Sequence, residues 1–473
     1  MADQVDTSRE VPGPASKPPG GETPHQFGLT AAMALIVGSI IGVGIFNLPT
    51  SLAVYGPITL VSMALTTVGA LALALLFAAL SRRLPADGGP YAYARVAFGN
   101  RLGFTNAWSY WITAWAGNAA IAVGWVLYVE HFINKDHNKL FSILLVLVGL
   151  WIPAVINLSG VKNMGSVQVV TTVVKFVALA FMATVGLFYI KSANFTPWNV
   201  SKESTIAAIG GGMAIALFSY LGVECAAVAA GKVRDPDRNV PRATILGTIA
   251  TAVVYMLSLT AVFGIVPTST LASATAPFSD ATNAIAGGGT WAGNLMAIAV
   301  IISGFGALNG WTMICAEMPL AAAKDGLFPE RFKRMSKNHV PAYGIIASTV
   351  LASVAMIINY LGSSGATVFT TLVLMTGITA AIPYAFSALA QLKWRWIDHR
   401  TLETPRFARD MIVAGLSLVF SILFIWYSRN TGHSFWVYWA PFFLAGGALV
   451  LGIPVYLAQR RHMTLPAHVP PYR

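Results

Sequence analysis

Long apolar stretches separated by short polar ones dominate this chain. Twelve of them reach the roughly 20 mostly apolar residues that a membrane-crossing helix needs. They fall near 29–56, 58–82, 103–131, 139–159, 165–190, 207–230, 243–267, 291–323, 342–361, 367–391, 411–428 and 437–459. The run PITLVSMALTTVGALALALLFAALS, 57–81, carries no charge at all. None of the stretches alternates with the period of two that short barrel strands would show. A buried soluble core does not use so many long uncharged runs. The pattern therefore predicts an all-α membrane protein with twelve transmembrane helices.

Two stretches depart from the pattern. The first is IVGSIIGVGIFNLP, 36–49, with glycines at 38, 42 and 44 and a closing proline. Glycine costs a helix interior roughly 1 kcal/mol against alanine, and proline about 3. Five spans later, IGGGMAIALFSYLGVECAAVAAG, 209–231, is again glycine-rich at its start and carries SYLGVE in its middle. Glycines four apart, such as Gly38 and Gly42, also serve close helix pairing. The paired occurrence in spans one and six favours breaks instead. Matching Gly-interrupted segments in two halves of a chain point to a transporter's binding site. Unwound backbone survives at membrane depth only where it lines a cavity. The N-terminus of a half-helix presents free N–H groups that suit a carboxylate. Free carbonyls at the facing break suit an ammonium. Together the two breaks suit an α-amino acid.

Composition agrees with the hydropathy pattern: 56% of the residues are hydrophobic and only 10% charged, where soluble domains carry about 25% charged. The polar, Pro- and Gly-rich residues 1–28 read as a disordered tail with no signal peptide. Cys225 and Cys315 both fall inside spans and imply no disulfide framework. No histidine pairs at i, i+4, so no metal is expected, and nothing calls for a cofactor. The formal charge of +12 is a topology signal rather than a nucleic-acid site. With the N-terminus placed inside, only Lys135, Lys139, Lys191, Lys202 and Arg429 lie outside, and Lys175 lies within a span. All other lysines and arginines are then inside, the positive-inside pattern for twelve spans with both termini cytoplasmic.

Four motifs, GSIIGVGIF (38–46), GGPYAYARVAFG (88–99), GVECAAVAAGKVRDPDRNVPRA (222–243) and NGWTMICAEMPLAAAKDGLFPERF (309–332), resemble the amino acid–polyamine–organocation superfamily. The likeness is nearest to the bacterial basic amino acid/polyamine antiporters and spans roughly residues 28–460. It implies the leucine-transporter-like fold, a five-plus-five inverted repeat with helices 1 and 6 broken. It also implies a ten-helix core over 29–391, helices 11 and 12 over 392–460, and a cytoplasmic tail over 461–473. Family members work in the cell membrane, exchange amino acids or couple their uptake to protons, and many are homodimers. By this resemblance Ile40, Gly42, Val43 and Gly44 form the carboxylate-binding turn. Phe218, Ser219 and Leu221 belong to the amine-binding turn. Thr113, Asn118, Ile121 and Trp311 stand at pocket positions. Val43 replaces a small polar residue of many exchangers, and Phe218 replaces a tryptophan of the arginine/agmatine exchangers. A phenylalanine face attracts a cation less than tryptophan does. Arg95 stands where polyamine exporters often carry an acid.

Ionisable residues inside a membrane are costly and mark function by default. Glu224, just after the second break, is a candidate to hold a proton or face a cationic substrate. Lys175 lies about ten residues into span five, where the family's proton-coupled members use a lysine in place of a sodium ion. These features point to a secondary transporter of cationic amino acids by exchange or proton coupling, with small neutral amino acids as the alternative. A channel would need a selectivity ring, and an enzyme a paired nucleophile and base or a metal cluster; the sequence offers neither.

Overall fold

The computed structural model describes residues 28–84, 88–160, 164–228, 233–398, 404–430 and 434–464. Of the expected tails over 1–28 and 461–473, residues 1–27 and 465–473 lie outside the described residues. Among those residues the chain is all helical and forms no strand.

Span one is split into α1 (Leu29–Ile40) and α2 (Gly44–Ala53), and span two is α3 (Thr59–Arg83). A short helix, α4 (Pro90–Phe98), leads into α5 (Asn100–Ile133), followed by α6 (Lys139–Leu158) and α7 (Met164–Thr184). Span six is again split. α8 (Thr205–Ala216) passes into a tight 3-10 turn over 217–220 and an irregular turn over 221–224, then α9 (Cys225–Val228). α10 (Pro236–Ile265) is span seven, and the connection after it holds α11 (Thr268–Leu271) and α12 (Pro277–Ile285). α13 (Trp291–Lys324), α14 (Ala342–Gly362), α15 (Gly365–Asp398) and α16 (Thr404–Tyr427) follow. The last span is α17 (Phe435–Val450) and α18 (Gly452–Gln459).

Among the described residues, eleven helical stretches are long and apolar enough to cross a bilayer, and Thr205–Tyr220 is a shorter apolar one. That matches the twelve expected spans. Large apolar side chains such as Phe188, Leu361 and Trp436 lie exposed around the bundle. An apolar surface of this extent needs lipid around it, so this is a multi-pass membrane protein. The middle of the bundle belongs to α5, whose most apolar window is 94% buried, against 17% for the last span.

Helix ends differ from the apolar pattern where side chains fasten extra turns. The boundary expected at 391 falls inside α15, which runs to Asp398. Arg83, on α3, pairs with Asp398, and Arg395 Nε lies 2.8 Å from Asp410 Oδ2 on α16. These buried pairs extend the helix past its apolar residues. α4 was equally invisible to hydropathy. Gly88 and Gly89 take positive φ, Pro90 opens the helix, and Arg95 Nη1 reaches Asp325 Oδ2 at 2.7 Å beyond the end of α13.

Candidate functional site

The first break separates a capped helix end from an open one. The last carbonyls of a helix lack partners within it, and here each finds one. Val37 O accepts from Ile41 N at 2.8 Å and Gly38 O from Lys175 Nζ at 2.9 Å. Ser39 O accepts from Trp311 Nε1 at 3.3 Å. Ile40 O accepts from Gly42 N at 2.8 Å and from the Tyr255 hydroxyl at 2.9 Å. Across the gap, α2 makes its first bond from Phe46 N to Val43 O, 3.0 Å. The amides of Val43, Gly44 and Ile45 donate to no described residue. They form the positive end of a helix dipole, a place for negative charge.

The second break is held by Gly222, whose φ of 110° excludes other residues without strain. A Cβ at Gly222 would also stand 2.9 Å from the carbonyl carbon of Ser39, so the two breaks touch there. Leu221 N donates to Phe218 O at 3.3 Å and Val223 N to Tyr220 O at 3.4 Å. The carbonyls of Ser219 and Leu221 accept from no described residue.

Between the breaks lies a cavity of about 10 Å³, room for about one water molecule. Of the residues expected at a site, Ile40, Gly42, Gly44, Ile121, Phe218, Ser219, Leu221 and Trp311 all line it. Ser39 and Gly117 line it too and were not anticipated. Ser39 sits inside the GSIIG motif and Gly117 directly precedes Asn118, so only their immediate neighbourhood signalled them. The Phe218 ring covers the open end of α2: a Cβ on Gly44 would fall 2.8 Å from it.

The structure places the other three expected pocket residues away from the cavity surface. Val43 is fully buried, its side chain against Gly304 of α13. The Thr113 hydroxyl donates to Ser109 O at 3.0 Å and to Thr379 Oγ1 at 2.9 Å, tying α5 to α15. Asn118 Nδ2 donates to Thr312 Oγ1 at 3.1 Å, tying α5 to α13, while its buried Oδ1 has no partner among the described residues.

Both intramembrane charges flank the breaks and are fully buried. Lys175 places its ammonium at the negative end of the α1 dipole, where a cation is favoured. Glu224 accepts from the Tyr110 hydroxyl at Oε1 and the Tyr384 hydroxyl at Oε2, both at 2.7 Å, and from Gly222 N at 3.3 Å. One carboxyl thus joins the second break to α5 and α15. A buried carboxyl is tolerated when its lone pairs are satisfied this way.

A cavity enclosed by two interrupted membrane helices, with donors on one and acceptors on the other, is the arrangement of a membrane carrier for small solutes. Residues 27–451 match the family described as amino acid permease, and the chain belongs to that family. It is 31% identical to an arginine/ornithine antiporter of Pseudomonas aeruginosa over 418 residues, 85% of this chain and 86% of the relative. A cadaverine/lysine antiporter of Escherichia coli K12 is 27% identical, over 79% of this chain and 85% of its own. A putrescine transporter of Haemophilus influenzae is 29% identical, over 84% and 91%. The family and these relatives agree with the superfamily that the four motifs resembled.

Proposed function

We propose that this protein is a secondary active transporter that exchanges cationic amino acids across the cell membrane, with both termini in the cytoplasm. The observation that carries the reading is the open N-terminal end of α2, whose Gly44 lines the cavity with its amide free, facing the free carbonyls of Ser219 and Leu221 on the same cavity. That pairing suits the carboxylate and ammonium of an α-amino acid without any charged side chain. The name of the Pseudomonas relative supports a dibasic substrate. The aromatic faces of Trp311 and Phe218 supply a surface for its cationic end. A cavity of about 10 Å³ cannot hold an amino acid. Binding therefore requires the two breaks to separate, which is the opening step of alternating access. The ten-helix core over 29–391 carries out this movement as two inverted halves. Glu224 and Lys175 are the sites of proton coupling or of its replacement by fixed charge.

Transport of small neutral amino acids is favoured by one observation: among the described residues no charged side chain lines the cavity. Counterflow in proteoliposomes separates the two. Vesicles are loaded with unlabelled arginine, lysine, ornithine, agmatine, alanine or leucine, and uptake of labelled arginine is measured. Dibasic compounds should drive uptake and neutral ones should not. Failure of arginine to exchange, with a neutral amino acid exchanging instead, would overturn the cationic reading and leave the two breaks their role.

A further inference from the structure

A second cavity, of about 360 Å³, opens where α2, α5, α6 and α15 meet near the loop after α11. Its volume lies in the range of small-molecule sites. It is joined to the central cavity by two shared helices. α2 runs from Gly44 in the central cavity to Thr50 in this one, and α5 from Ile121 to Leu127 and Glu130. Six residues of helix span about 9 Å. Phe369 of α15 separates the two: its ring meets Phe218 edge-on at 6.0 Å and presses against Gly124. By the charge asymmetry of the chain, this is the extracellular side.

The pocket carries one charge of each sign. Glu130 is 3% exposed. Its Oε1 accepts from Asn134 Nδ2 at 3.0 Å and from the Ser142 hydroxyl. Among the described residues its Oε2 is held only by His137 Nδ1, at 2.8 Å, and the His137 side chain is 48% exposed. One oxygen is thus fixed from within, and the other faces a partner that solvent reaches. Lys139 lines the same pocket, is exposed, and forms no ion pair with a described residue. A buried carboxylate and an exposed ammonium lining one pocket complement a solute that carries both a cation and a carboxylate.

We propose that this pocket is an outer staging site that takes the incoming amino acid in both its charges. Glu130 receives the cationic group in place of His137, and Lys139 receives the carboxylate. The inference rests on the proposed transport of cationic amino acids and adds a first point of selection to it. An amine without a carboxylate loses the Lys139 contact, so the site favours amino acids over their decarboxylated products before either reaches the breaks.

The test is the half-saturating external concentration of arginine and of agmatine in proteoliposome exchange, in protein of one orientation. Glu130→Gln keeps acceptors for Asn134 and Ser142 but removes the charge. It should raise the external half-saturation for both solutes by roughly three- to tenfold, the scale of one partly screened charge pair, with the maximal rate retained. Lys139→Gln should raise it for arginine and leave agmatine unchanged. His137→Ala, which frees Glu130 Oε2, should lower it for both. Unchanged half-saturation in Glu130→Gln and Lys139→Gln would overturn the proposal, as would a lowered maximal rate or membrane abundance alone, which marks Glu130 as a fastening for its loop. Wild-type protein that exchanges no cationic amino acid would instead bring down the functional reading on which the proposal rests.

Discussion

The ring of Phe218 lies directly on Gly44, so close that a Cβ there would stand 2.8 Å and 2.9 Å from two ring carbons. Gly44 does not need an unusual φ; it needs to be small. Its neighbours allow no comparable shift, since Phe218 also packs edge-on against Phe369. Gly44→Ala should therefore push the ring off the open end of α2 or jam the movement of the breaks. Overpacking of this kind costs about 1–3 kcal/mol. Exchange should fall at least tenfold with membrane abundance retained. Gly44→Ala combined with Phe218→Leu, which returns the volume, should recover part of the rate; the counterflow assay reads both.

Lys175 caps α1 through Gly38 O, and its role in holding the first break can be separated from a surface role. Lys175→Ala leaves a buried carbonyl without its partner, a loss of about 1–3 kcal/mol, at the hinge of a helix that must move. Most exchange should disappear, and the unfolding temperature in detergent should fall by several degrees. Exchange and melting at wild-type levels would place the ammonium at the membrane surface, contrary to its full burial.

The spans and the two breaks were legible because lipid forces them into the sequence. A helix that crosses must be apolar for its whole length, and unwound backbone needs a cavity. The glycine signal was less direct than it looked. Gly210, Gly211 and Gly212 mark span six in the sequence, yet all three sit within α8. A Cβ on Gly210 would fall 2.5 Å from Tyr427, and one on Gly212 would fall 2.9 Å from Thr59 Cγ2. They serve helix packing, as glycine spacing alone also allowed, and the break follows at 217–224. Only Gly222 is there for its backbone angle. Family likeness located most of the cavity wall but not which face of α5 meets it. Gly117 and Ile121 face inward, while Thr113 and Asn118 bond sideways to Thr379 and Thr312. Side-chain capping of α1 by Trp311 and Tyr255 joins residues more than 200 positions apart, which no local pattern reveals.

The GGPYAYAR motif, whose arginine weakened a polyamine reading, has a structural use. Arg95 is 5% exposed and binds Asp325. Its Nη2 also donates to the carbonyl and hydroxyl of Thr464, at 2.9 and 2.8 Å, and its Nε to Asn100 Oδ1 at 2.9 Å. One guanidinium therefore gathers α4, the end of α13 and the segment after the last helix. Arg95→Ala should lower the unfolding temperature by several degrees, the scale for breaking a buried charge network. The half-saturating arginine concentration should stay near wild type, because Arg95 does not line the cavity. A large rise in that concentration with normal melting would instead make Arg95 part of the substrate path.

Glu224 is the one carboxyl at the breaks, and its two tyrosine partners come from α5 and α15. Glu224→Gln keeps the size of the group and one acceptor oxygen but cannot take up or release a proton. If Glu224 titrates during the cycle, wild-type exchange varies with pH over a range in which the variant's rate is flat, while both proteins reach the membrane equally. Tyr110→Phe and Tyr384→Phe each remove one hydrogen bond to the carboxyl, so each should displace the wild-type profile along the pH axis without abolishing it. The direction must be the same in both, since each removes the same kind of donor to the charged form. Measured from pH 5 to 8 at saturating arginine, a Glu224→Gln profile that overlays the wild type would leave the carboxyl only its mechanical role of joining the second break to α5 and α15.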